Sequence, residues 1–216
     1  MGQNRVLDIM INLLEGIKNQ NQLIDEYCGE ELALNSCLYL LNQTIRQYQI
    51  SQSHFFVSKK AQKLWDKIST ESIFDYSYRD TVTKNIEAEV TIEKYRGGEG
   101  TPYLVTTISY GDKFIYKDVF TDEHIVTVSD IIDALLELPK YDYNSIKNIL
   151  DKIYICKMLK SEDRAIENKN KRSLDYREVI GTDYIRAGIE LTTLDPITAL
   201  KSLIKDLEME LESFEI

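Results

Sequence analysis

Cysteine, proline, histidine and net positive charge are all in short supply in this sequence, and each shortage excludes something. The three cysteines, Cys28, Cys37 and Cys156, form no CxxC pair. That argues against a disulfide scaffold and against a cysteine-based zinc site, and the three read as reduced, buried thiols. Three prolines and nine glycines are too few for a low-complexity or collagen-like chain. No apolar run approaches the ~18 residues a spanning helix needs, and the first eight residues carry no apolar signal region. A soluble, cytoplasmic protein with no membrane partner is therefore expected. Lys and Arg number 26 against 36 Asp and Glu, a formal charge of −10. At face value that argues against binding nucleic acid through a general positive field, although the distribution of charge matters more than the sum. No GxSxG elbow occurs, and the glycines at 97, 98 and 100 are followed by no GK[ST] and no helical pattern, so neither a serine hydrolase nor a phosphate loop is indicated.

What is present points to a folded chain. In 216 residues, 43% are hydrophobic and 10% aromatic, enough for a core without staples and for roughly one to one and a half domains. The first third is patterned for helices. Val6, Ile9, Met10, Leu13, Leu14 and Ile17 recur at spacings of three and four, and a second helix is expected over 30–48 with Leu32, Leu34, Leu38, Leu41 and Ile45 on its apolar face. A third helix is expected over 58–68, with Ala61, Leu64, Trp65 and Ile68 inward. The period then changes to two. Ile86, Ala88, Val90 and Ile92 alternate with polar residues as a half-buried strand does. Segments 103–110 and 113–120 read as two more strands, joined into a hairpin by Gly111-Asp112. Helices return after His124. Ser129 is the expected cap of 130–138, which Pro139 ends, and Ser145 of 146–150. Segment 152–159 fits a strand or a helix, and a helical stretch opens at 161–164. A last helix is expected over 196–212, where an acidic end is set to fray or to meet a partner. The expected class is α+β, with a helical N-terminal region over 1–80 and a region over 81–216 that holds central antiparallel β-hairpins and the C-terminal helix.

Only two histidines are available for acid–base chemistry. His54 stands before Phe55 and Phe56 and reads as structural. His124 follows Asp122 and Glu123 at a strand end, where a carboxylate suits a hard divalent cation and the imidazole suits activation of water. Downstream, residues 140–172 hold nine bases and five acids, so the negative charge lies elsewhere in the chain.

The run from Asp122-Glu123-His124 through Asn148 and Asp151 to Glu162-Asp163-Arg164 resembles the HNH endonucleases, restriction enzymes among them, whose unit is a ββα-metal fold. The resemblance covers about residues 113–172, near a quarter of the chain. It implies Glu123 and Asp163 as ligands of one Mg²⁺ or Mn²⁺, with Glu162 beside the second, and His124 as general base. Either Asp151 or Asn148 matches the middle polar position that supports the histidine. The cysteine pairs of many family members are missing. The resemblance further implies duplex DNA as substrate and a homodimer that cuts two strands by two-fold symmetry. Lys157, Lys160, Arg164, Lys169, Lys171 and Arg172 are then the candidate phosphate contacts. A PD-(D/E)xK core is a weaker match, because Glu167-Asn168-Lys169 has the spacing without a strand. The competing class is a non-enzymatic acidic interaction protein, such as an immunity protein, an antitoxin or a phage inhibitor. Its partner would be a protein met by some of the 14 tyrosines.

Overall fold

A computed structural model describes residues 2–24, 31–52, 54–95, 103–166 and 172–192. The chain is α+β. The helix expected over 196–212 lies outside the described residues, as do Cys28, Lys169 and Lys171.

Two compact units make up the chain, and neither is continuous in sequence. Unit 1 comprises Met1–Ser53, His124–Tyr154 and Asn168–Ile180, and unit 2 comprises His54–Glu123, Ile155–Glu167 and Gly181–Ile216. Residues 54–80, read from sequence with the N-terminal helices, therefore group with the strands.

Unit 1 is helical. α1 (Gly2–Ile24) and α2 (Glu31–Gln52) form in the segments so patterned, and Leu7, Met10, Leu14 and Ile17 pack with Leu41, Ile45 and Tyr48. Ile9 departs from its expected place and faces solvent. α4 (Val128–Leu136) and α5 (Tyr143–Leu150) close the same core through Ile131, Leu135, Ile146 and Leu150. Their caps sit upstream of the expected ones. Thr127 Oγ1 accepts from the Asp130 amide at 3.2 Å, and Asp142 Oδ1 accepts from the Ser145 amide at 3.0 Å. Ser129 and Ser145 lie one residue or more inside their helices, where a side chain cannot reach the orphan amides of the first turn. α7 (Tyr176–Val179) ends the unit's third segment.

Unit 2 is built on strands. β1 (His54–Val57), β6 (Phe120–His124) and β7 (Tyr154–Leu159) form a three-stranded sheet in the order β1-β7-β6. β6 and β7 run antiparallel, as two bonds at their opposite ends require: Ile125 N–H to the Tyr154 carbonyl at 2.9 Å, and Lys160 N–H to the Val119 carbonyl at 3.0 Å. β2 (Thr81–Thr83) pairs with β5 (Lys113–Ile115), and β3 (Val90–Tyr95) with β4 (Tyr103–Ile108), both antiparallel. Helix α3 (Lys59–Trp65) places Trp65 at the centre of this unit's core. The indole meets Tyr76, Phe120 and Tyr116 edge-on at 4.8, 5.5 and 6.3 Å between centroids, and its N–H donates to the Glu71 carbonyl.

The expected hairpin across Gly111-Asp112 does not form. Gly111 does take positive φ, +83°, as the turn signal requires. The turn, however, binds Lys84 on both sides: Lys84 N–H donates to the Asp112 carbonyl and Gly111 N–H to the Lys84 carbonyl. That locks β5 onto β2, and β4 pairs back to β3. Segment 113–120 accordingly breaks after Ile115 into a 3₁₀ turn, Tyr116–Asp118, before β6 begins. Residues 86–89 are not strand. The fully buried Lys84 ammonium bonds the carbonyls of Lys67 and Ile86, which bends the chain there and delays β3 until Val90.

Candidate functional site

In the candidate segment β6 and β7 are followed by α6 (Lys160–Ala165), with α4 and α5 between the two strands. Glu123 is the fourth residue of β6 and Asp163 the fourth of α6. Both are half-buried and both belong to unit 2. His124, Asn148 and Asp151 belong to unit 1. His124 is half-buried, and burial followed by the positive charge of Arg46 pushes its pKa from 6.5 down to about 4, so the imidazole is neutral at pH 7. Asn148 is exposed on α5. Asp151 caps the C-terminus of α5 and pairs with the Lys147 ammonium at 2.6 Å, one turn back on the same helix. Among the described residues, no three His, Cys, Asp or Glu gather in a way that would hold a metal ion. Glu123 and Asp163 are hard oxygen donors suited to Mg²⁺, but by themselves they do not complete a cage.

The cations assigned to phosphate contact have other positions. Lys157 lies on the central strand β7 and is 2% exposed. Its ammonium donates to the Tyr76 carbonyl at 2.7 Å and to Asp122 Oδ1 at 3.0 Å, and stands 5.0 Å from the Tyr116 ring centroid. Arg172 is 7% exposed and donates to the His124 carbonyl at 2.9 Å, fixing the backbone at the end of β6. Neither side chain is placed to meet DNA, because each guanidinium or ammonium is spent on interior oxygens. Lys160 and Arg164 are nearer the surface. The Arg164 guanidinium lies 4.0 Å from the Tyr95 centroid and 5.3 Å from that of Tyr103, and the Lys160 ammonium lies 4.7 Å from Tyr95. Burial lowers the Lys160 pKa against the pull of Asp118 and Asp163. The four side chains thus fasten α6 to the end of the β3–β4 hairpin.

A second polar group in unit 2 went unread in the sequence. Ser58 caps α3, its Oγ accepting from the Ala61 amide at 3.0 Å, and the same hydroxyl donates to Glu162 Oε2 at 2.5 Å. Glu162 is 5% exposed and also accepts the Leu159 amide at 3.0 Å, so one carboxylate caps α6 while it receives the cap of α3. Its Oε1 has no partner among the described residues. Cys156 lies beside this group. Burial first, then Glu162, Glu123 and Asp122, hold its thiol well above the ordinary range, so it stays protonated and inert. Ser-Lys-Lys-Ala before a helical stripe was a legible cap signal, but its partner 104 residues on was not. Replacing Ser58 by alanine should cost about 2–3 kcal/mol, because a cap is lost and a buried carboxylate loses a donor. Urea unfolding of the variant against the parent measures it, and a loss under about 0.5 kcal/mol would show the Ser58–Glu162 bond to be idle.

No family model, curated protein or solved structure matches this chain. Among the described residues, no helix is long and apolar enough to cross a membrane.

Proposed function

We propose that this protein acts by binding a basic protein partner through an acidic surface and has no catalytic centre of its own. One observation carries the reading. Among the described residues the buried charged side chains are Lys84, Lys157, Arg172 and Glu162, three cations against one acid. Among the described residues, folding therefore removes three positive charges from the surface and one negative charge. Glu87, Glu89 and Glu93, in contrast, are all exposed. An acidic surface of this kind steers a basic partner in and repels nucleic acid. The neutral state of His124 fits the same reading, since a base with a pKa near 4 has little affinity for a proton at pH 7.

A second reading, Mg²⁺- or Mn²⁺-dependent cutting of duplex DNA, is favoured by the β6–β7–α6 order with Glu123 and Asp163 in one unit. One experiment separates the two. The purified chain is incubated with diverse duplex DNA and either cation, in parallel with affinity capture from the native host. The binding reading expects intact DNA, and a captured protein of high pI whose retention falls steeply as salt is raised. Metal-dependent cleavage that is lost in His124→Ala, with the fold retained, overturns it in favour of the nuclease.

A further inference from the structure

β4 differs from every other strand of unit 2 in how it is exposed. Its sequence, Tyr-Leu-Val-Thr-Thr-Ile, holds no charge, no proline and no glycine. It belongs to a sheet of only two strands, so one edge is taken by β3 and the other has no strand partner among the described residues. Val105 is 63% exposed and Leu104 39%. Natural edge strands are guarded by lysines, prolines, bulges or a cover. β4 is six residues long with an unbroken register from Tyr95↔Tyr103 to Val90↔Ile108, and carries none of the first three. A two-stranded ribbon is also marginal by itself, whereas four strands are not.

We infer that the free edge of β4 pairs with β4 of a second copy of this chain, antiparallel about a two-fold axis at Val105. The self-match follows from the symmetry. An axis perpendicular to the sheet keeps each side chain on its own face, so Val105 meets Val105, Leu104 meets Thr106 and Tyr103 meets Thr107. Every one of these residues is neutral, so two chains of −10 meet along this line without like charges. The nearest acid in the ladder is Glu93, opposite Val105 on β3. In the four-stranded sheet the two copies of Glu93 stand three strand spacings apart, about 14 Å. That exceeds the Debye length of about 8 Å at physiological salt, so their repulsion is largely screened. A basic extended peptide is the competing occupant, but β4 offers it no carboxylate. The inference stands whether or not the protein is an enzyme.

Sedimentation equilibrium of the full chain across a micromolar concentration series tests it. The expected mass approaches twice the 25.1 kDa of one chain. Val105→Lys should return the mass to one chain at the same concentrations with an unchanged far-ultraviolet circular dichroism spectrum, because that position is open to water in the single chain. Val105→Thr should remain associated. Amide exchange of the parent should slow over 103–108 as concentration rises, which reads the interface without any substitution. A parent that stays at one mass throughout overturns the inference. So does a dimer that Val105→Lys leaves intact, or exchange that slows elsewhere and not over 103–108. Slowing over 103–108 only on adding polylysine would assign the edge to a basic partner instead.

Discussion

Replacing Lys157 by alanine should destabilise the protein by about 3–5 kcal/mol, the cost of breaking a buried ion pair from one side. The ammonium reaches Asp122 at 3.0 Å, and it also satisfies the Tyr76 carbonyl at 2.7 Å. Its side chain is 3% exposed and that of Asp122 is 26% exposed. The asymmetry has a consequence. Deleting Asp122 strands a buried ammonium, whereas deleting Lys157 strands a carboxylate that water can partly reach. Lys157→Met should therefore be milder than Asp122→Leu, although both remove one partner. Thermal or urea unfolding of the two variants checks the order, and a larger loss in Lys157→Met than in Asp122→Leu would mean that the Tyr76 carbonyl, not the ion pair, sets the cost.

Acid should weaken the fold well before its carboxylates titrate, through His124. In the unfolded chain the imidazole takes a proton near pH 6.5, and in the folded chain only near pH 4. Between these values the unfolded state binds more protons, so stability falls as pH falls. The full difference amounts to roughly 3 kcal/mol once the pH is below about 4. Burial is the larger cause and the neighbouring Arg46 the smaller. Asp80, Asp142 and Glu190 are held below their ordinary values by local hydrogen bonds and, for Glu190, by Lys59. Their contribution is lost at still lower pH and is common to parent and variant. His124→Gln should therefore flatten the profile between pH 6.5 and 4 and leave the lower limb. A variant as acid-sensitive as the parent in that window would show that His124 protonates freely in the native state.

The helices of unit 1 were legible because their stripes are local: Met10, Leu14 and Ile17 lie on one face whatever they pack against. The strand pairing was not. Gly111-Asp112 is a sound turn signal, and the chain does turn there, yet the turn's hydrogen bonds go to Lys84, a residue with no local mark of being interior. β2, only three residues long, offers too few alternations to be read. At the candidate site, segment 152–159 was open between strand and helix in the sequence, and the structure makes 154–159 the strand β7. The fate of the cations was not legible. Lys157 looks like a surface base from its charge, but it sits within Ile155-Cys156-Lys157-Met158, an apolar run of the kind central strands carry. That flanking pattern was the available clue. Arg172 had none, because the carbonyls it binds, His124 and Ile125, lie 48 and 47 residues upstream.

The order β1-β7-β6 sets a timetable for synthesis. β7 is the middle strand of its sheet and the last of the three to leave the ribosome, so β1 and β6 wait for it side by side with nothing between them. Ser58 and Glu162 are 104 residues apart when they meet. Closing a loop of that size costs about 4 kcal/mol of chain entropy before any contact repays it. Folding of unit 2 is thus non-local and slow relative to a helical bundle of equal size. A nascent chain paused between His124 and Tyr154 holds two edges that fit a strand from any source, which makes synthesis, more than the finished fold, the moment at which this protein is exposed to aggregation.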